Sequence, residues 1–376
     1  MQKKLIALAV AGLVSAPAFA QSNVTIYGSI DYGYTLQGRS IYDDVDHRSA
    51  IDSGISKSNR LGFKGTEDLG NGLKAVFVLE SGITGDGTKD SLWGGAGARQ
   101  AYAGLVGGFG TVAFGRQYTP QHLFTSAVDP FGKNGLGSAK NVYVGDDRLD
   151  NLVAYISPNW GGFSFVTGGT LAYEGNEPVE NDNGGTNLNN VRVWAIAPSF
   201  AQGPVFVAVN YHVAHVNTSS IVDSLKVWDA FFSYDFGPVK LSAIYGQRKT
   251  ELTGGSDDVK VKQWLFGGSV PFGASDKVLF SYTHRKSEGL DALNIDDDAS
   301  LGQWAVGYEH SLSKRTALYV QYAHQHQNSA QKSLGNDPVF NQATGARASS
   351  VGYSNLGHSV SSGYRQGLAF GLRHDF

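Results

Sequence analysis

The stretch Leu368-Ala369-Phe370-Gly371-Leu372-Arg373-His374-Asp375-Phe376 decides the fold class of this chain. Leu, Phe or His occupies every second position, and small or charged residues lie between them, which is the two-residue period of a β-strand. A strand that ends on an aromatic residue is typical of a transmembrane β-barrel, whose last strand closes against the first with its apolar side towards lipid. The alternative from this stretch alone is an ordinary soluble β-sandwich.

The amino-terminal segment predicts export. Two lysines, Lys3 and Lys4, precede an apolar run over residues 5–14, and Ala18-Phe19-Ala20 forms a small-x-small cleavage site. This pattern is a secretory signal peptide over residues 1–20, so we expect residues 21–376 to form the mature domain. The apolar run is too short to span a bilayer. The chain has no cysteine, which excludes disulfides and thiolate metal sites.

The composition fits a barrel with a wet interior. Glycine accounts for 49 of 376 residues and aromatic residues for 12%, which suits an interior of polar and small residues and an outer surface with aromatic girdles. The formal charge is -3 and becomes -5 without the two lysines of the signal peptide. This mild acidity gives no support for nucleic-acid binding.

Period-two patterns recur along the mature chain and predict an all-β fold, a transmembrane antiparallel β-barrel of about sixteen strands. Short turns rich in Gly, Pro and Asn, such as 67–71, 107–110 and 235–238, alternate with long polar loops, such as 37–57, 174–189, 288–300 and 327–363. Turns on one side and loops on the other are typical of outer-membrane barrels, whereas a sandwich or a soluble adhesin would mix them. The expected strands are 24–36, 58–66, 73–83, 98–106, 111–116, 151–156, 163–173, 190–197, 205–215, 226–235, 239–248, 259–270, 277–286, 301–311, 316–326 and 364–376.

Several ordered motifs carry a family resemblance. They are Val24-Thr25-Ile26-Tyr27-Gly28, Arg60-Leu61-Gly62-Phe63-Lys64-Gly65, Arg99-Gln100-Ala101-Tyr102-Ala103-Gly104-Leu105 and the carboxyl-terminal strand. Together they resemble the general porins of Gram-negative outer membranes, most closely the beta-proteobacterial and neisserial branch. The resemblance implies a homotrimer that lets small hydrophilic solutes and ions diffuse passively and needs no cofactor. It also implies contact with outer-membrane lipid, with lipopolysaccharide and with the barrel-assembly machinery, which would read Phe376 as an assembly signal.

Alternation along each strand predicts which side chains face the lumen. Leu61 and Phe63 are expected to face lipid, which leaves Arg60 inside, and Tyr102 is expected to face lipid, which leaves Arg99 inside. An unpaired charge in lipid is costly, so the lumen is the cheaper location for these arginines. By the same reasoning, the other expected lumen-lining residues are Tyr27, Ser29, Asp31, Lys64, Lys74 and Glu80.

The segment 118–147 is the third long connection, and the resemblance implies that it folds into the channel and forms a constriction. Arg60, Arg99 and Arg148 match the wall arginines of the family, and Asp129 matches the acidic stretch of the inserted loop. Opposed charges across a narrow waist would orient dipolar solutes. The alternative, which is compatible with the first, is that the arginines pair with loop carboxylates and hold the loop. Two further acids of the loop are Asp146 and Asp147.

The oligomer and the selectivity are harder to predict. Gln100 is a polar residue at an expected outward position, and Gly28 and Gly104 are small residues there, so we expect the first five strands and the last strand to form the subunit contact. The arginines favour anions, whereas the net acidity of the chain argues for cations. A substrate-selective channel, a barrel enzyme and an adhesin are the alternative functions. No catalytic or metal-binding arrangement stands out in the sequence.

Overall fold

The computed structural model describes residues 23–40, 47–83, 98–145, 147–170, 191–216, 222–253, 258–289, 298–330 and 364–376. The expected signal peptide and Asp146 lie outside these residues. No helix in the described ranges is long and apolar enough to cross a membrane.

Most of the described residues belong to strands, and one helix, α1 (Pro120–Val128), and a short 3-10 helix (Ala139–Asn141) lie between Tyr118 and Arg148. The strands are β1 (Asn23–Ser40), β2 (His47–Ser53), β3 (Arg60–Gly70), β4 (Leu73–Gly82), β5 (Ala98–Gly107), β6 (Gly110–Tyr118), β7 (Arg148–Ile156), β8 (Phe163–Thr170), β9 (Val191–Gln202), β10 (Val205–Val216), β11 (Val222–Asp235), β12 (Lys240–Leu252), β13 (Val259–Phe272), β14 (Asp276–Glu288), β15 (Ala299–Ser311), β16 (Thr316–Gln327) and β17 (Tyr364–Asp375).

The strands form a closed antiparallel barrel. From β3 onwards each strand pairs with the next along the chain, and β17 returns to β1 in a register that runs from Ser29 opposite Asp375 to Ser40 opposite Tyr364. Both β2 and β3 pair with β1. Strand β2 lies opposite residues 32–38 of β1, and strand β3 lies opposite residues 23–29 of β1. They therefore form one barrel strand in two pieces, and the barrel has sixteen strands, which confirms the predicted number.

The short strand β2 lies within the stretch 37–57 that the sequence predicts as a loop. Its outward residues His47 and Ser49 are polar, so the apolar alternation that marks the other strands is weak here. Pairing with β1 and an ion pair between Arg48 and Asp52, with Nη2 and Oδ1 2.5 Å apart, stabilise it instead.

The seam of the barrel depends on a close approach between Gly28 and Phe376. The amide and carbonyl of Gly28 exchange hydrogen bonds with those of Phe376, at 3.0 and 3.1 Å. A Cβ atom on Gly28 would lie 2.4 Å from the Phe376 ring and 2.5 Å from the carbonyl oxygen of Arg60. The small outward residue predicted as a subunit contact is therefore the place where the terminal ring packs.

The register of β5 corrects three predicted side-chain directions. Gln100, Tyr102 and Gly104 lie opposite Glu80, Val78 and Val76 of β4, and directly opposed residues share a face, so all three point inwards. A shift in register beside Glu80 places Arg99 on the interior as well. Alternation alone missed this because it cannot anticipate a bulge.

The outward face of β9–β16 carries a belt in which Trp and Tyr alternate from strand to strand. Ring centroids within its neighbouring pairs are 5.2–6.4 Å apart. On the next two strands Leu368 and Leu36 occupy this level, so the belt ends at β16. Such rings sit at the membrane–water interface. The Trp/Tyr belt consists of Trp194, Tyr211, Trp228, Tyr245, Trp264, Tyr282, Trp304 and Tyr322.

Candidate functional site

The segment 119–145 lies inside the barrel and crosses it. Helix α1 begins after Thr119, whose hydroxyl accepts a hydrogen bond from the His122 amide at 3.1 Å, and Pro120 suits the first helical position because it has no amide hydrogen to leave unpaired. Val128, Ala139 and Tyr143 pack against apolar residues of β10–β13. Further along, Phe131 and Leu136 pack against β14–β17 and Ile55. We call this segment the inserted loop.

Side-chain amides of the barrel wall hold the backbone of the inserted loop. Gln263 accepts a hydrogen bond from the Val144 amide and donates one to its carbonyl, both at 2.8 Å. Gln303 donates to the Ser138 carbonyl at 3.1 Å, and Gln321 accepts from the Leu136 amide at 3.2 Å. Because buried backbone groups need partners, these three glutamines satisfy a segment that forms no strand. We call them the glutamine ladder.

Asp129 stabilises the inserted loop from within. Its Oδ1 accepts a hydrogen bond from the Phe131 amide at 3.0 Å, and its Oδ2 accepts from the Lys133 and Ala139 amides, both at 2.9 Å. The residue is 4% exposed, and burial raises the pKa of its carboxyl group to about 6 despite these hydrogen bonds. The expectation that Asp129 faces the arginines is therefore wrong, because the short Asp side chain binds nearby backbone amides instead.

The three predicted wall arginines do lie together, and the carboxylate partner of Arg60 and Arg99 is Glu80. Arg99 donates from Nε to Glu80 Oε1 at 2.8 Å and from Nη2 to the Tyr118 hydroxyl at 2.7 Å. Arg60 Nη1 lies 3.8 Å from the same Glu80 oxygen, and the Arg148 guanidinium lies 5.2 Å from the centre of the Tyr118 ring. One buried carboxylate therefore pairs with two of the guanidinium groups, and the third lies against the Tyr118 ring.

A second group of cations belongs to the inserted loop. Lys133 Nζ and Lys140 Nζ lie 2.5 and 2.7 Å from the two carboxylate oxygens of Asp147, and His122 Nδ1 lies 3.0 Å from Oδ1. Burial disfavours ionised Asp147, but the two ammonium groups outweigh it and hold the pKa of the carboxyl group well below its usual value. Burial and the charge of Lys133 lower the pKa of His122 to about 3, so its ring is neutral.

A third group of cations lies beside Arg60, on β14, on β17 and on the segment before β3. Lys277 Nζ and Arg373 Nη2 are each 3.0 Å from Glu309 Oε1, and Lys57 Nζ is 2.8 Å from Asp375 Oδ1. Lys277 and Arg373 occupy interior positions of β14 and β17, so alternation could have found them. The position of Lys57 depends on the segment 54–59, which lies between the two pieces of the split strand.

The three groups surround one cavity of about 550 Å³ at the waist of the barrel. Of the described residues, three carboxylates also line it, namely Asp147, Glu309 and Asp375, and Asp129 does not. Positive charge therefore surrounds the opening instead of facing negative charge across it. The eight cationic residues that line the cavity are Lys57, Arg60, Arg99, Lys133, Lys140, Arg148, Lys277 and Arg373.

Three of the remaining predicted lumen residues, Tyr27, Lys64 and Lys74, lie on the same interior face as Glu80. Tyr27 donates from its hydroxyl to Glu80 Oε2 at 3.0 Å, and Lys64 Nζ lies 5.3 Å from the centre of the Tyr27 ring. Lys74 is an exposed residue beside the turn between β3 and β4, on the same face as Glu80.

Ser29 and Asp31 also belong to the interior face, but both are 0% exposed, so they do not line the open lumen as predicted. Asp31 accepts hydrogen bonds from the Lys57 amide at 2.6 Å and the Tyr319 hydroxyl at 2.5 Å, which places it beneath the segment 54–59. Within the described ranges, no three His, Asp or Glu side chains are placed to hold a metal ion.

Comparison with known proteins agrees with this architecture. Residues 7–330 match the family described as Gram-negative porin. Outer membrane porin protein 32 of Delftia acidovorans is 31% identical, with 100% of both chains covered. Major outer membrane protein P.IB of Neisseria meningitidis serogroup B is 28% identical, over 85% of this chain and 92% of that protein. The solved structure of an anion-selective porin from Comamonas acidovorans superposes with a TM-score of 0.70 at 26% identity, covering 95% of this chain and 100% of that one.

Proposed function

The chain belongs to the Gram-negative porin family and forms an outer-membrane channel for passive diffusion, and from this premise we propose that its waist favours anions. The observation that carries the proposal is the lining of the waist, where, among the described residues, eight cationic residues outnumber three carboxylates. A permeating anion meets guanidinium groups of Arg60, Arg99 and Arg148, ammonium groups of the inserted loop, and the group formed by Lys57, Lys277 and Arg373. Rings of Arg and Lys favour anions in pores.

The carboxylates near the waist support this proposal because of where they lie. Glu80 is 3% exposed against 15% and 18% for Arg99 and Arg60, and Glu309 is 9% exposed against 20% and 42% for Arg373 and Lys277, so both carboxylates lie behind the cations that they bind. These carboxylates hold the cationic side chains in place while the ammonium and guanidinium groups face the cavity. The anion-selective porin from Comamonas acidovorans, which shares the fold at 26% identity, is a relative with the selectivity that we propose here.

The proposal is tested by the zero-current potential of the purified protein in a planar bilayer across a KCl gradient. We expect the sign that indicates preference for chloride. The variant R60Q/R99Q/R148Q should move the potential towards potassium, because it removes three of the eight cationic charges. K314Q is the matched control, since Lys314 lies in the exposed turn between β15 and β16. A potassium-selective wild type, or an unchanged potential in the triple variant, would contradict the proposal.

We further propose that the channel is a homotrimer in which β17 and the first strands meet the neighbouring subunits. The Trp/Tyr belt supports this arrangement, because it covers β9–β16 and gives way to Leu368 and Leu36 on β17 and β1. Leucine in place of Trp or Tyr at this level suits contact with protein better than contact with the membrane interface. Native mass spectrometry in mild detergent should give three times the mass of the chain, and a monomer would contradict the proposal.

A further inference from the structure

Tyr118 lies at the point where the chain leaves the barrel wall to enter the lumen. It is the last residue of β6, and its register partner is Arg148, the first residue of β7. Directly beside this pair, the Thr119 amide donates a hydrogen bond to the Asp147 carbonyl at 3.0 Å. The chain therefore leaves the wall and returns to it at the Tyr118–Arg148 pair, and both residues line the cavity at the waist.

The hydroxyl group of Tyr118 binds the arginine that pairs with Glu80. It accepts a hydrogen bond from Arg99 Nη2 at 2.7 Å and donates one to Glu80 Oε1 at 3.3 Å. Because Arg99 Nε donates to the same Glu80 oxygen at 2.8 Å, the hydroxyl, guanidinium and carboxylate groups form a closed triangle. The other Glu80 oxygen accepts from the Tyr27 hydroxyl at 3.0 Å. A guanidinium group that is bound through two of its nitrogens has a more defined direction than one that is bound through a single nitrogen.

The ring of Tyr118 contacts a second arginine and the inserted loop. The Arg148 guanidinium lies 5.2 Å from the centre of the ring, within the distance at which the face of an aromatic ring attracts a cation. The His122 ring stacks on Tyr118, with the ring centres 4.1 Å apart and the planes at 2°. His122 lies in the first turn of α1, so the ring of Tyr118 links Arg148 to the helix that begins the inserted loop.

We propose that Tyr118 is the positioning residue of the waist, whose hydroxyl group sets the direction of Arg99 and whose ring holds Arg148 and the first turn of α1. The like charges of the wall arginines repel one another across a shared cavity, so their directions depend on the groups that bind them. Tyr118 is neutral and therefore acts on a permeating ion through these arginines. The proposal rests on the proposed function in one respect, namely that permeating ions pass the wall arginines.

The hydroxyl group and the ring can be tested separately by the zero-current potential across a KCl gradient. Y118F removes the hydroxyl group and keeps the ring, so it should move the potential in the same direction as R99Q, but less far, although it removes no charge. Y118L also removes the ring that contacts Arg148, so it should move the potential further than Y118F. If Tyr118 only filled space at the wall, Y118F would keep the wild-type potential, and that result would overturn the proposal.

Double-mutant cycles show through which arginine each part of Tyr118 acts. The shifts are compared as logarithms of the ratio of chloride to potassium permeability. Y118F/R99Q should shift this ratio no further than R99Q alone, because the hydroxyl group then has no Arg99 to orient. Y118F and R148Q should be additive since phenylalanine keeps the ring, whereas Y118L and R148Q should give less than the sum of their separate shifts. Additive shifts for Y118F and R99Q would overturn the proposal.

A single cysteine on α1 reports on the inserted loop. The chain has no cysteine, so S126C introduces one thiol on this helix at the edge of the cavity. Methyl methanethiosulfonate, a neutral reagent, should modify this thiol faster in Y118L and at the same rate in Y118F, because only Y118L removes the ring on which His122 stacks. An unchanged rate in Y118L would overturn the role of the ring.

The matched control is Y155F, because the Tyr155 hydroxyl also donates a hydrogen bond, to the Phe109 carbonyl at 2.7 Å, but beside the turn between β5 and β6. Y155F should keep the wild-type potential. Heat-modifiable migration in gel electrophoresis establishes that each variant is folded, and Y118F, which removes one oxygen atom, keeps the test valid if Y118L does not fold. A potassium-selective wild type would contradict the anion preference alone, since the cycles measure whether Tyr118 acts through Arg99 whatever the sign of the selectivity.

Discussion

Replacing Asp129 should release part of the inserted loop, because its carboxylate accepts hydrogen bonds from three buried backbone amides. A buried donor without an acceptor costs about 1–3 kcal/mol, so Asp129→Ala should weaken docking of the loop by about 3–9 kcal/mol. Asp129→Asn keeps one acceptor oxygen and leaves one or two amides unpaired, which corresponds to about 1–6 kcal/mol. The barrel itself should remain folded, since its strand pairing does not involve this residue.

The assay is single-channel conductance together with the zero-current potential. Displacement of the loop would move Lys133 and Lys140 away from the waist, so we expect higher conductance and weaker chloride preference in Asp129→Ala, and a smaller change in Asp129→Asn. Asp68→Asn is the matched control, because Asp68 also accepts from a backbone amide, that of Gly70 at 2.9 Å, but in an exposed turn. Wild-type conductance with stronger chloride preference would refute the reasoning, since it would mean that Asp129 acts as a charge in the lumen.

Three further predictions concern the seam, the loop and the pH response. Phe376→Asp and Gly28→Val should each reduce the amount of heat-modifiable barrel in the outer membrane. Phe376→Asp removes the ring at the seam, and Gly28→Val places a side chain where that ring and the Arg60 carbonyl lie. Normal amounts of barrel in either variant would count against this. Gln303→Ala should increase the current noise of the open channel, because it frees the Ser138 carbonyl, whereas Gln325→Ala, a neighbour on β16, should have a smaller effect. His122→Gln should leave chloride preference between about pH 5 and pH 8 unchanged, since the pKa of His122 is about 3 and the ring is neutral there.

The strands of the barrel were predictable from the sequence because their apolar period reflects direct contact with lipid. The carboxyl-terminal strand, the short turns and the number of barrel strands follow from that period alone. The sequence does not predict β2 because three of its four outward residues, His47, Ser49 and Ser53, are polar, and pairing with β1 stabilises it. The directions of Gln100 and Tyr102 were wrong because a bulge beside Glu80 changes the register, and nothing in the local pattern of β5 signals it.

The waist was only partly predictable, since its residues come from distant parts of the chain. The resemblance brought Arg60, Arg99 and Arg148 together, because they occupy regular positions on the barrel wall. The lysines of the inserted loop depend on how a segment without strand structure folds, and Asp129 could equally have faced the lumen. Its role follows from hydrogen bonds to amides up to ten residues away, which no periodic pattern encodes.

The glutamine ladder has a consequence for the use of this barrel as an engineered sensor. Because side chains on β13, β15 and β16 fasten the inserted loop, the element that sets the current is attached to the same wall that spans the membrane. A recognition sequence grafted into an outer loop should therefore bind its ligand at the entrance of the channel, while the current without ligand stays the same. The inserted loop and the outer loops of the barrel can therefore be redesigned separately in such a sensor.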